Sequence, residues 1–269
     1  MKKILIIQVV YNNELCLQQY RITKSFYEQY PNVTVVGLGA FNITNDNSII
    51  KVTNNDIETA VKWYELCKYN IEDSFDIYIR LTPSTLLNIQ QIINFVNSNE
   101  YSSDIVYTGH MFRYNVKDKE PMLFARGNFI MMSKDHMKSM HNKCKEVPFN
   151  QLIKECAGIC DDSLIGHILF DCCKYKYCGT KMMAIDEPAV ERFNMNELTE
   201  TTCIVYKCFE TKDNVNLYTL SLLQLLIYAM KSTETKPMIL LSDESAFRNN
   251  VYTYSTEWME NLCKTHFDI

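Results

Sequence analysis

Apolar positions along the first hundred residues follow two alternating rhythms. Ile4–Val10 is a short, nearly continuous apolar run broken only by Gln8, the pattern of a central parallel strand covered on both faces. Glu14–Tyr30 then carries apolar side chains at helical spacing and stops at Pro31, so an amphipathic helix is expected there. Val33–Leu38 reads as a second strand, and the polar, Asn-rich stretch 41–55 as a loop. A helix is expected from Asp56, a good N-cap, through Cys67. Phe75–Leu81 follows as a third strand, Leu86–Ser98 as a helix and Ser103–Gly109 as a fourth strand. Strands alternating with helices imply crossover units and a mainly parallel sheet.

The rhythm changes in the second half. Phe124–Met132 reads as a strand leading into a helix from Ser133, and Asp161–Asp171 as another helix. Towards the C-terminus Cys203–Phe209 and Met238–Leu241 read as strands around a Leu220–Met230 helix. No internal repeat or linker stands out, and only 7 Gly and 6 Pro leave little room for one. The expected class is α/β: one domain with a mainly parallel twisted sheet flanked by helices and a mixed second half. Residues 1–110 would form the α/β half, 111–210 the mixed half, and 211–269 a helix-and-strand extension.

Composition narrows the class further. With 47% hydrophobic residues the chain has ample material for a core, so disorder is not expected. A formal charge of −5 with scattered Lys and Arg argues against a general nucleic-acid binder, which needs a basic footprint. The N-terminal apolar run superficially mimics a signal peptide, but Gln8 interrupts it and Tyr11-Asn12-Asn13-Glu14 offers no small-residue cleavage site. The run around Leu220–Met230 falls short of the roughly 20 residues that a bilayer requires. Eleven cysteines, an odd number in a long chain, are expected as free thiols in a reducing, cytoplasmic compartment.

Several familiar chemistries find no support. Cys156, Cys160, Cys172, Cys173 and Cys178 cluster, but not at a usual zinc spacing, so buried thiols are the expectation. No histidine stands in a metal-binding pair, and there is no Gly-x-Ser-x-Gly elbow, phosphate loop or dinucleotide fingerprint. Gly37-Leu38-Gly39 has only part of that fingerprint and is expected as a turn. Two segments remain informative: the Phe75–Asn88 strand and turn, and the acidic pair of Asp161-Asp162-Ser163-Leu164-Ile165-Gly166. Read from spacing alone, Asp161 and Asp162 cap a helix.

In register, Phe75–Asn88 resembles the strand and turn of the fringe and beta-1,3-galactosyltransferase family, whose strand ends in Asp-Asp-Asp and whose following apolar stretch ends in Asn. Further matches follow in the family's order. Lys62, Trp63 and Cys67 resemble its preceding helix, and Asp104–His110 its next strand. Phe124–Ser133 resembles its glycine segment, Asp161–Gly166 its acidic-pair motif, and Cys203–Lys207 a late strand. The resemblance, over roughly residues 1–210, implies a glycosyltransferase of the GT-A fold with a nucleotide-sugar donor, UDP-linked by family habit. The Asn- and Ile-rich composition suggests an AT-rich genome, and large DNA viruses carry such enzymes, which would place the chain in a host cytoplasm.

The resemblance also distributes roles, making residues 1–110 a nucleotide-binding half and 111–210 an acceptor and catalytic half. The second acid of the pair, Asp162, would be the catalytic base, with Asp161 and Asn128 orienting the acceptor or the helix start. Tyr11, Thr82 and Ser84 would line the donor pocket. Where the family binds a divalent cation through its acidic turn, this chain has Thr82-Pro83-Ser84, without a carboxylate. The family's later histidine ligand has no clear counterpart near Asp186 or Glu187. Mn2+ or Mg2+ would therefore bind without the usual acidic ligands, and no cofactor is certain. Arg80, Arg126, Lys62 and Arg21 are the cations available to replace the metal at the diphosphate, and for each a solvated surface charge is the competing reading.

Two functions follow. One is an inverting glycosyltransferase with atypical or absent metal dependence, acting on a glycan or other hydroxyl acceptor. The alternative is a catalytically degenerate relative that binds glycan or nucleotide without turnover. Neither calls for a nucleic-acid partner or a transmembrane segment, and a homodimer is among the assemblies they permit.

Overall fold

The computed structural model describes residues 1–43, 46–55, 58–69, 74–98, 101, 106–114, 122–156, 160–172, 176–179, 182–185 and 205–208. The helix and strand expected within 211–269, the start at Asp56, residues 103–105 and the pair Asp186-Glu187 lie outside them. The described elements run β1 (Ile4–Val9), α1 (Glu14–Tyr27), β2 (Val33–Ala40), β3 (Ile49–Thr53), α2 (Thr59–Tyr69), β4 (Ile77–Leu81), β5 (Thr85–Leu87) and α3 (Ile89–Val96). They continue with β6 (Val106–Tyr114), β7 (Met122–Ser133), α4 (Lys134–Glu146), α5 (Phe149–Glu155), α6 (Asp161–Cys172), β8 (Lys176–Gly179), β9 (Met182–Ile185) and β10 (Val205–Cys208).

The main sheet has the order β3-β2-β1-β4-β7-β6-β8. The pairs β1–β2, β1–β4, β2–β3 and β6–β8 are parallel, and β7 alone runs against its neighbours β4 and β6. The expected mainly parallel α/β architecture is therefore the observed one. A small second sheet, β5-β10-β9, begins directly after the turn that follows β4.

Both faces of the main sheet are covered, which explains why β1 is apolar at nearly every position. Ile4, Ile6, Val10, Ile77, Ile79 and Met131 face a core with α1 and α3, while Leu5, Ile7, Val9, Tyr78 and Met132 face one with α2, α4 and α6. Gln8 is the single polar interruption of β1. It is tolerated because its side chain pairs with Thr23 of α1 at 3.0 Å, which satisfies a buried polar group.

Local signals account for most boundaries. Asn13 caps α1 by accepting from Cys16 N–H at 2.8 Å, Asn88 caps α3, and Ser133 with His136 forms a capping box at α4. Three expectations need correction. The stretch read as loop contains β3, a short edge strand that Asn-rich flanks disguise. The helix expected from Leu86 starts at Ile89, because Thr85–Leu87 pairs with β10. Gly37 and Gly39 are not a turn but lie within β2, where side chains would press on Ile49 at 2.8 Å and Ile43 at 2.3 Å. Among the described residues no helix is long and apolar enough to cross a membrane.

A close approach also fixes α6 on the sheet. A Cβ on Gly166 would lie 2.2 Å from the Phe124 Cβ and 3.3 Å from its backbone Cα. Alanine's helix propensity favours Gly166→Ala by about 0.8–1.0 kcal/mol. Overpacking against an immovable strand costs about 1–3 kcal/mol, so the clash prevails. Gly166→Ala is expected to lower the urea midpoint; a variant as stable as the parent would show that α6 can move away from β7.

Candidate active site

The strand order reverses between β1 and β4: the chain winds outward through β2 and β3, then returns to place β4 beside β1. Open α/β sheets bind ligands at such a switch point, outside the carboxyl ends of the strands. Tyr11 follows β1 at this edge, and Thr82–Ser84 follows β4. Leu81 pairs with Phe129, so Gly127 of the antiparallel β7 lies just beyond the end of β4 at the same edge.

The acidic pair at the start of α6 comes to this edge from the other side. Asp161 is 2% exposed, and its carboxylate takes two hydrogen bonds from Arg80: Nε to Oδ2 at 2.6 Å and Nη2 to Oδ1 at 2.8 Å. This is the bidentate fork that guanidinium geometry favours. Asp161 N–H donates to Thr59 Oγ1 of α2 at 3.1 Å, which ties the helix start to a second element. Asp161 therefore spends both carboxylate oxygens on β4 rather than on capping its own helix.

Asp162 behaves differently. One carboxylate oxygen accepts from the adjacent Ser163 N–H at 2.8 Å, a local role at the helix start. The other leaves the helix and accepts from Gly127 N–H on β7 at 2.9 Å. Burial, reinforced by the Asp161 charge, pushes its pKa above the ordinary carboxylate value, and Arg80 with the two N–H donors opposes this. A half-buried carboxylate of raised basicity at the switch-point edge is suited to accept a proton from a neighbouring hydroxyl.

Two of the candidate cations, Arg80 and Lys62, are not solvated surface charges. Arg80 is 3% exposed and held by Asp161. Its Nη1 is buried and has no hydrogen-bond partner among the described residues. Lys62 on α2 is fully buried; its Nζ donates to Val10 O at 3.0 Å and lies 4.4 Å from the centre of the Tyr11 ring. Tyr11 thus rests on Lys62, and burial raises its phenol pKa while Arg80 opposes that shift. Arg21, by contrast, is exposed on α1 and lies 3.7 Å from Glu14. Arg126 and Asn128 belong to β7, flanking Gly127, and only their backbone is among the described atoms.

The turn after β4 is closed by Thr85 N–H donating to Thr82 O at 2.9 Å, with the Thr82 and Thr85 hydroxyls 2.7 Å apart. Its side-chain oxygens are hydroxyls, and Ser84 is buried. Hard divalent cations want carboxylate oxygens, so this turn does not fit such an ion. No group of three or more His, Cys, Asp or Glu converges as a metal site among the described residues. Cys67, Cys144 and Cys160 are free thiols.

The pairing of Arg80 with Asp161 and the burial of Lys62 are what the sequence reading missed. An Arg within an apolar strand is a signal for a buried partner, because an unpaired charge there is costly.

No protein-family profile and no curated protein sequence matches the chain. Among solved structures it is similar to a glycosyltransferase involved in glycosylation of the major capsid of PBCV-1, at 11% identity and a TM-score of 0.43, covering 82% of this chain and 99% of that one. It is also similar to the galactosyltransferase LgtC in complex with donor and acceptor sugar analogs, at 9% identity and a TM-score of 0.44, covering 89% and 98%. Mouse xyloside xylosyltransferase 1 is a third, at 9% identity and a TM-score of 0.44, covering 80% and 98%. Likeness at this level does not assign a reaction.

Proposed function

We propose that the chain is a glycosyltransferase of the GT-A type, moving a sugar from a nucleotide-sugar donor, UDP-linked in the first instance, to a hydroxyl acceptor with inversion. The observation that carries this reading is the Asp162 carboxylate, held at the switch-point edge by Gly127 N–H with its basicity raised. The ordered resemblance of Phe75–Asn88 and Asp161–Gly166 to one transferase family supports it independently. In the proposed step the acceptor oxygen attacks the anomeric carbon as the bond from that carbon to the diphosphate oxygen breaks. The acceptor proton passes to Asp162, and the nucleoside diphosphate leaves with the bonding pair.

Tyr11, Thr82 and Ser84 line the donor side in this reading, and Lys62 lends positive charge beneath Tyr11. Arg126 is the cation proposed to face the diphosphate, since Arg80 is committed to Asp161. Asp161 orients the base, and Asn128 the acceptor. No step is routed through a metal, because the turn does not provide the donors for one.

The turn without carboxylates also favours a second reading, a binder that recognises nucleotide or glycan without turnover. One experiment separates the two: thermal shift with nucleoside diphosphates and their sugars, alongside UDP release from UDP-hexoses, each with Mn2+ and with EDTA. The enzyme reading expects stabilisation and UDP release that persist in EDTA. Stabilisation without release at any metal condition would favour the binder, and a chain that responds to no nucleotide would lose the enzyme reading and the nucleotide-binding form of the second.

A further inference from the structure

The Arg80–Asp161 pair has a geometry that a simple stability role does not require. Asp161 is the first residue of α6 and Asp162 the second, so whatever anchors Asp161 also sets where Asp162 projects. Three contacts anchor it: two from Arg80 on β4 and one to Thr59 on α2. The same guanidinium lies under Gly127, the residue whose N–H holds Asp162. A Cβ on Gly127 would come within 3.0 Å of Arg80 Nη1 and 3.1 Å of its Cζ and Nη2. Arg80 thus contacts both supports of Asp162, the helix start and the β7 backbone.

We propose that Arg80 and Asp161 form a positioning latch that aims Asp162 into the switch-point crevice and sets the electrostatic field in which it works. This rests on the reading of Asp162 as the base. Neither Arg80 nor Asp161 touches the reacting atoms in this scheme; both act through Asp162. The absence of a Cβ at residue 127 is part of the same device, because it lets the β7 backbone descend onto the guanidinium that the ion pair holds still.

The two latch residues act on Asp162 with opposite sign. The Asp161 charge raises its pKa and the Arg80 guanidinium lowers it; among the described residues Cys160 is the further titratable neighbour. Substituting one partner must therefore shift the titration of Asp162 one way, and substituting the other must shift it the opposite way. Loosening of the fold has no reason to produce that asymmetry.

The test is a carboxyl 13C NMR titration of aspartate-labelled full-length protein, with Asp162→Asn identifying the resonance. Asp161→Asn is expected to move the Asp162 midpoint to lower pH, and Arg80→Met to higher pH. Arg80→Lys keeps the charge without the fork and is expected to return the midpoint towards the parent. No shift in either variant, or shifts of the same sign, would overturn the latch. If Arg80→Met does not fold, Asp161→Asn and Arg80→Lys carry the comparison: an unchanged midpoint in Asp161→Asn overturns the proposal. UDP release is measured in parallel. Should Asp162→Asn release UDP at the parent rate while the opposite shifts stand, the base assignment falls but the electrostatic coupling is supported.

Discussion

Asp162→Asn is expected to lower the rate of sugar transfer by about 10²–10⁴-fold, the usual share of a positioned general base. That corresponds to roughly 3–5 kcal/mol of barrier, at 1.36 kcal/mol for each factor of ten. The amide is nearly isosteric and its oxygen can still accept from Gly127 N–H, so the local fold is expected to survive. Donor binding should change little, because the base contributes to the transition state rather than to the bound nucleotide. The loss should therefore appear in kcat more than in KM. Asp162→Glu preserves the carboxylate but extends it by a methylene, and misplacement of about 1 Å can itself cost around 10²-fold. A parent-like rate in Asp162→Asn would remove the base assignment, and with it the main reason for preferring an enzyme over a binder.

The pH dependence of the parent follows from the same residue. A base works only when ionised, so kcat/KM should rise with pH through the Asp162 pKa of the free protein. Burial and Asp161 hold that pKa above the ordinary carboxylate value, so the acidic limb should lie above where an exposed aspartate would put it.

The sequence displayed the site's elements better than its wiring. The continuous apolar run of β1 betrays a strand covered on both faces, and the polar-to-apolar step at Asp161 marks the start of α6 to the residue. These are local signals, which hydrophobic period and capping chemistry convey. The ion pair between Arg80 and Asp161 spans 81 positions and depends on α6 crossing the sheet next to β7. No local pattern announces that crossing. Lys62 is a related case. Its helix position looks like an ordinary mixed face, and only the return of the chain after β1 buries it under Tyr11. The edge strand β3 was hidden for a different reason: its five residues sit among Asn-rich flanks that propensity reads as loop. The gathering of Tyr11 and Thr82–Ser84 at one sheet edge was nevertheless foreseeable, because both follow strands of a mainly parallel sheet.

The second large effect concerns stability, and its logic is asymmetric. Arg80 and Asp161 have side chains only 4% and 2% exposed, so removing one partner strands a charge in the core. Loss of a single partner from such a pair typically costs about 3–5 kcal/mol. Native domains are stable by only about 5–15 kcal/mol, so Arg80→Met should consume a large part of the total. Asp161→Leu should do the same, leaving the guanidinium without its only described hydrogen-bonding partner. The double variant Arg80→Met/Asp161→Leu is expected to recover most of the loss, because it restores an apolar contact and leaves no orphan charge. The buried Nη1 adds to this expectation: one of the guanidinium nitrogens lacks a described partner, so the native pair is itself incompletely satisfied. Urea midpoints of the two single variants and the double variant, read as a double-mutant cycle, check the claim. Losses that simply add would mean that the two side chains contribute separately, and that the fork between β4 and α6 is not what holds the helix start in place.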